Sequence, residues 1–354
     1  KKAKIIIITH LGRPLGKEVK ELSLNQISDD FARIMNLREI TVLPFCRADV
    51  MKSVINEKEE GTVTLMENIR FYPEEEENNE KFAKELSKIA DIYINDAFSV
   101  SHRKHLSTFA LSKLLPSYAG RSLQLELSML NKINDALDKP VMSIIGGSKV
   151  STKIDLLISL VTKVNYLVIG GAMANTFLLE MGFKVGKSMV ETDKLSIARL
   201  VLNKAKENNC SIILPKDIVV SKSLKHFESS KNIDVKDMEE NLSIYDIGEK
   251  TIEEIANTAS NCKTIFWNGP LGVYETPPFD NSTNIIGRTI ALLTKGNILT
   301  SVVGGGDTVA ALNNAELAGG FSYVSIAGGA LVEWLEGKKL PGLLCLEKFE
   351  GEIN

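Results

Sequence analysis

Short apolar runs rich in Ile, Val and Leu recur along this chain with helically spaced stretches between them. They fall at residues 4–9, 39–43, 62–66 and 91–95, and again at 141–145, 166–169, 211–214, 264–267, 300–303 and 323–326. Strands alternating with helices predict a parallel α/β sheet, because parallel neighbours need a crossover long enough to hold a helix. The runs are continuous rather than alternating, which predicts strands covered by helices on both faces. At roughly 100–200 residues per domain, the 354 residues predict two domains, each with its own core.

Between the two groups of runs, Leu123, Leu127, Leu130, Ile133 and Leu137 recur at spacings of three and four. That spacing predicts an amphipathic helix over 120–138, stopped by Pro140 and suited to connecting the domains. Glu74 to Glu77, directly after Pro73, read as the solvated first turn of a helix whose N-terminal dipole favours negative charge.

Charge excludes one class of partner. With 42 Lys+Arg against 45 Asp+Glu the net charge is -3, so no global basic field is available for nucleic acid and any anion site must be built locally. Cys46, Cys210, Cys262 and Cys345 lie far apart without a CxxC pair, which fits neither a disulfide framework nor a zinc site and suits a reducing compartment. No apolar run approaches the roughly 20 residues of a membrane span. The chain runs from Lys1 straight into an apolar stretch at 5–8 without a methionine, which reads as a start in mid-domain rather than a signal peptide.

In open parallel sheets ligands bind beyond the carboxyl ends of the strands, so the residues after each run carry the information. The first group is followed by His10-Leu11-Gly12-Arg13-Pro14, by Glu67-Asn68-Ile69-Arg70-Phe71 and by Asp96 to His105, which includes His102 and Arg103. Arginine forks and imidazoles suit phosphate and carboxylate oxygens, so the first domain is expected to hold a small, highly anionic substrate.

The second group ends in glycine instead: Gly146-Gly147, Gly170-Gly171, Asn268-Gly269, Gly304-Gly305-Gly306-Asp307-Thr308 and Gly328-Gly329. Such turns let backbone N–H groups approach nucleotide phosphates, and Asp307 is placed to hold a magnesium ion or to cap a helix. Two better-known phosphate motifs fail. The stretch 182–188 is one residue short of P-loop spacing and follows a helical pattern, and no glycine cluster forms GxGxxG.

Segments 10–14, 67–73, 95–105, 146–153, 170–177, 267–273, 304–308 and 328–337 together resemble the phosphoglycerate kinase family in order and spacing from end to end. The resemblance implies an α/β fold of two Rossmann-like lobes, each a parallel β-sheet flanked by helices, joined by a hinge helix. It implies a phosphoglycerate-binding lobe over 1–119, the interdomain helix over 120–138, a nucleotide-binding lobe over 139–337, and a tail over 338–354 returning to the first lobe. The implied reaction is the reversible, glycolytic transfer of the acyl phosphate of 1,3-bisphosphoglycerate to Mg-ADP, giving 3-phosphoglycerate and ATP. A cytoplasmic monomer that uses Mg2+ and binds neither nucleic acid nor membrane is implied with it.

Carried onto this sequence, the resemblance gives His10, Leu11, Gly12, Arg13, Arg70 and Arg103 to the phosphoglycerate. Lys149 and Lys153 go to the transferred phosphoryl group or nucleotide phosphates, with Lys149, Lys153 and Arg13 as the catalytic set. Gly170 and Gly171 go to the adenine, Glu275 to the ribose, Gly305, Gly306, Asp307 and Thr308 to the phosphates, and Asp307 to the metal. The chain departs from the family's pattern at Thr152, where an aspartate is usual, at Ile326-Ala327 and at Ile244. The family's first strand, with an Asp, an Asn and an Arg of the substrate site, has no counterpart before Lys1. If that segment is truly absent, a catalytically impaired nucleotide- or phosphoglycerate-binding chain is the alternative expectation, while a nicotinamide-dependent oxidoreductase lacks its fingerprint.

Overall fold

The computed structural model describes residues 3–38, 40–44, 48–134, 138–325, 327–344 and 346. Glu39, Cys46, Ile326 and Cys345 lie outside the described residues, as do 135–137 of the expected connecting helix and 347–354 of the expected tail. Contacts divide the chain into two units, Lys1–Gln124 with Lys339–Asn354, and Leu125–Lys338.

The first unit holds β1 (Ile5–Ile7), β2 (Thr41–Leu43), β3 (Val63–Met66), β4 (Tyr93–Asn95) and β5 (Ser117–Ala119). A parallel sheet of order β1-β3-β2 stands beside a parallel pair, β4-β5. Only β3 is buried along its whole length; β1 and β2 are edges, and Ile94 on β4 is 62% exposed. The expectation of helices on both faces therefore holds at the sheet centre and fails at its edges. Met51, Ile55, Met66, Ile69, Leu86, Leu106 and Leu111 form this unit's core, each contributing about 1.5–3 kcal/mol by burial. The short helix Pro341–Leu344 belongs to the same unit, with Gly342 N–H donating to the Ser101 carbonyl at 2.9 Å and Asn95 Nδ2 to the Gly342 carbonyl at 3.1 Å.

The second unit contains β6 (Val141–Ile145), β7 (Tyr166–Ile169), β8 (Ser211–Ile213), β9 (Asp217–Ser221), β10 (Lys231–Asp234), β11 (Ser243–Ile247), β12 (Thr264–Asn268), β13 (Thr300–Gly304) and β14 (Tyr323–Val324). Six strands form one parallel sheet in the order β14-β13-β12-β6-β7-β8. Its central strands β6 and β12 are buried throughout, as continuous apolar runs require. Trp267, Ile144, Ile265, Ile255, Ile286 and Ile290 pack its core. An antiparallel sheet of order β10-β9-β11 adds to it, in which β10 is polar, β11 is bulged and the apolar run Ile218-Val219-Val220 of β9 was not read as a strand. Cys210 and Cys262 are buried here, and burial pushes both thiols up to about 11, which makes them unreactive.

The predicted amphipathic helix is observed as Arg121–Asn134, with Leu123 and Leu130 buried. Buried Glu126 on it accepts hydrogen bonds from the hydroxyls of Tyr323 and Ser325, fastening the helix to the end of β14. No helix among the described residues is long and apolar enough to cross a membrane.

Candidate active site

Register brings the glycine turns of the second unit together. Asn268 at the end of β12 pairs with Ile145 on β6 and with Gly304 on β13, so these three strands finish level. The turns leaving them then crowd: a Cβ on Gly146 would sit 1.9 Å from the Pro270 carbonyl oxygen. Gly269, at φ +103°, would meet the Gly146 oxygen at 2.2 Å. Only glycine fits such a crossing.

A cavity of about 750 Å³ opens over these turns. Lys153, Gly305, Gly306, Asp307 and Thr308 line it together with Asn268, Gly328 and Gly329. Gly305 is the N-cap of the helix Gly306–Asn314, so the first N–H groups of that helix and its dipole are directed at the cavity. Asp307 is in its first turn rather than at the cap. Lys149, Gly170, Gly171 and Glu275 are outside the lining. Lys149 is exposed at the start of the turn Val150–Thr152, and Gly171 backs directly onto Gly147. Tyr274, beside Glu275, has its phenol pKa raised by burial and then by the charges of Glu275 and Asp307, so this loop shares the field of the cavity.

Lys153 is not free to wait for an anion. Its Nζ donates to the Gly146 carbonyl at 2.7 Å, to the Asn268 carbonyl at 3.0 Å and to Asn268 Oδ1 at 2.6 Å. Burial lowers its pKa to about 8 against the raising effect of Asp307. The ammonium thus has all three donors on strand-end oxygens and must exchange one to touch a phosphate. Thr308 is committed in part, since its Oγ1 accepts from Gly269 N–H at 2.6 Å and the residue is fully buried. Sequence reasoning gave Thr308 to the phosphates and did not single out Asn268, whose position directly after an apolar run was the available signal.

In the first unit, His10, Arg13, Arg70 and Arg103 are close enough to act on one another's charge. Burial, then Arg103, lowers the Arg70 pKa, with Arg13 adding to the effect. Arg70 is 5% exposed, its Nη1 donates to the Gly12 carbonyl at 2.9 Å, and its Nε lies 3.8 Å from Glu76 without a hydrogen bond. Leu11 contributes its carbonyl, which accepts from Asn68 Nδ2 at 2.8 Å, rather than any charged group. Burial and then Arg70 lower the His10 pKa to about 4, so its imidazole is neutral near pH 7. The unfolded chain protonates this histidine below about 6.5, so His10 makes stability rise with pH from about 4 to about 6.5 and is lost on acidification across that window. His10→Gln is expected to narrow the difference between denaturant midpoints at pH 7 and pH 5.

The acidic run is not wholly solvated. Glu75, in the helix Pro73–Glu76, is 3% exposed; its carboxylate accepts from Ser107 N–H at 2.9 Å and Ser107 Oγ at 2.7 Å, with His105 Nδ1 at 3.6 Å. It ties the loop carrying Arg70 to the loop carrying Arg103. Glu75→Ala leaves the Ser107 amide unpartnered and is expected to cost about 3 kcal/mol in urea unfolding.

The rejected motif at 182–188 follows the helix Met173–Glu180 and packs on the antiparallel sheet, with Lys187 N–H donating to the Leu242 carbonyl and Ser188 Oγ accepting from Ile244 N–H. Ile244 packs against the apolar cluster of that sheet.

The profile of the family described as phosphoglycerate kinase matches residues 1–338. The phosphoglycerate kinase of Rhizorhabdus wittichii is 44% identical over 347 residues, covering 98% of this chain and 87% of its own length. That of Sinorhizobium medicae is 46% identical over 348 residues at the same coverage. Among solved structures, phosphoglycerate kinase from Coxiella burnetii is similar at a TM-score of 0.89 with 37% identity, covering 98% of this chain and 87% of that one. The enzyme from Pyrococcus horikoshii is similar at 0.82 with 25% identity, covering 99% and 88%.

Proposed function

Since the chain belongs to the phosphoglycerate kinase family, we propose that its two clusters divide the work of that reaction, with the glycine-lined cavity holding ADP or ATP and the basic cluster holding phosphoglycerate. The activity is phosphoryl transfer involving the carboxyl group of 3-phosphoglycerate, with ADP and ATP as nucleotide substrates. In the ATP-forming direction an ADP oxygen bonds to phosphorus while the acyl O–P bond breaks and the carboxylate leaves. Such a transfer needs positioning and charge neutralisation rather than a covalent nucleophile.

The observation that carries the assignment of the cavity is the level ending of β6, β12 and β13, which gathers Lys153 and the N-terminus of the helix Gly306–Asn314 at one place. Lys153 would neutralise charge developing on the transferred group, and the N–H groups at Gly305 and Gly306 would bind phosphate oxygens. Lys149 would reach in from the exposed side of its turn. Gly170, Gly171 and Glu275, outside the cavity lining, would meet the base and ribose. Asp307 is exposed, and the described residues contain no cluster of three or more acidic, His or Cys ligands. A single carboxylate fits Mg2+, which keeps waters and takes substrate phosphates as its other ligands. Bound there, the ion would neutralise phosphate charge.

In the first unit, Arg70, Arg103 and Arg13 would bind phosphate and carboxylate oxygens, with Leu11, Gly12 and neutral His10 shaping the site. A monomer in the cytoplasm follows the family. The reading as an impaired binding chain is not favoured, since relatives aligned to 98% of the chain are named as kinases. A coupled assay is expected to show ADP-dependent consumption of 1,3-bisphosphoglycerate; ADP binding by calorimetry without turnover would restore the alternative.

A further inference from the structure

We infer that Glu191 is a positioning residue for the nucleotide end of the reaction, fixing the turn Val150–Thr152 and the lysines on either side of it against the cavity. The inference rests on the reading of that cavity as the nucleotide site.

Glu191 Oε2 accepts from Ser151 N–H at 3.0 Å and Oε1 from Ser151 Oγ at 2.6 Å. The turn starts at Lys149, which supplies no side-chain cap, and the Ser151 N–H within it relies on a carboxylate 40 residues away. Burial raises the Glu191 pKa, but the bonds from Ser151 and Val150 outweigh it and hold the carboxyl below its usual value.

Glu191 is held in turn. Its N–H donates to Thr176 Oγ1 at 3.2 Å, and Asn175 Nδ2 donates to the Met189 carbonyl at 3.0 Å. Asn175 and Thr176 are each 1% exposed on the helix Met173–Glu180, whose first N–H donates to the Gly147 carbonyl at 3.0 Å. One connected set of bonds thus joins the helix after Gly171 to the turn whose Ser151, Thr152 and Lys153 line the cavity. At the far end of the turn, Lys153 N–H donates to the Val150 carbonyl at 2.9 Å, so displacing the turn displaces the lysine backbone.

The test is steady-state kinetics of the full chain with both substrates varied, on Glu191→Ala, Glu191→Gln, Ser151→Ala and the Ser151→Ala/Glu191→Ala pair, with Lys153→Ala as control. Glu191→Ala is expected to raise KM for ADP by about fivefold or more, the loss of charge-assisted hydrogen bonds, while KM for 1,3-bisphosphoglycerate stays unchanged. Glu191→Gln keeps one acceptor oxygen and should recover part of the effect. The double variant should be no worse than Glu191→Ala alone. Unchanged constants in Glu191→Ala, or both KM values rising together with a lowered Tm, overturn the inference. An impaired Lys153→Ala beside an unchanged Glu191→Ala removes Glu191 alone, whereas wild-type kinetics in Lys153→Ala removes the reading of the cavity and the inference with it.

Discussion

Lys153→Ala is expected to lower kcat by roughly a hundredfold or more, with a smaller change in KM for either substrate. Phosphoryl transfer spreads charge over the oxygens of the transferred group, so an interaction realised mainly in the transition state appears in kcat. Lys153 is suited to that timing. In the resting structure its ammonium is spent on the carbonyls of Gly146 and Asn268 and on Asn268 Oδ1, which hold it in place before substrate arrives. With burial lowering its pKa to about 8, the free enzyme loses this charge as pH rises through that value. kcat/KM for ADP should therefore show an alkaline limb near 8, and Lys153→Arg, whose guanidinium stays protonated, should remove the limb. A hundredfold loss in a variant that remains folded at the assay temperature would separate this role from packing. Wild-type kcat in Lys153→Ala would take the residue out of the mechanism.

Much of this site was legible because its requirements are local. The second-unit strands β6 and β7 were delimited from their apolar runs alone, and the glycines after β6 and β12 announced places where a Cβ has no room, as at Gly146 and Gly269. The basic loops after β1, β3 and β4 were legible for the same reason, each immediately following a strand. What stayed hidden depends on partners remote in sequence. Glu75 read as a solvated helix turn because nothing near it reveals the Ser107 hydrogen bonds, made across 32 residues. Glu191 sat in a polar stretch with no apolar signal, and its partner Ser151 is 40 residues back. In the antiparallel sheet, β10 carries only one apolar residue and β11 is interrupted by Asp246 at a bulge, breaking the continuity that marked the other strands, whereas the apolar run Ile218-Val219-Val220 of β9 was legible and not read. Full coverage by helices failed at β1 and β2 because an edge strand has a neighbour on one side only.

Arg70→Lys is expected to raise KM for 3-phosphoglycerate by about tenfold, and Arg70→Ala to lower kcat/KM for it by about a hundredfold, with KM for ATP unchanged in both. The lysine variant keeps the charge and isolates geometry. Arg70 Nη1 is anchored on the Gly12 carbonyl at 2.9 Å, which sets the plane of the guanidinium and leaves its other donors for oxygens of the substrate. A lysine has no second edge to present once its ammonium is anchored there. Arg13, exposed to solvent, is expected to contribute less because water screens it, whereas Arg70 is buried and acts at lower effective dielectric. Burial with Arg103 and Arg13 also makes the empty cluster self-repelling, only partly offset by Glu75 and Glu76, so an anion should stabilise it. Melting with added 3-phosphoglycerate should raise Tm in the native chain, less at high ionic strength, and hardly at all in Arg70→Ala. An undiminished Tm shift in Arg70→Ala would show that the phosphoglycerate binds elsewhere.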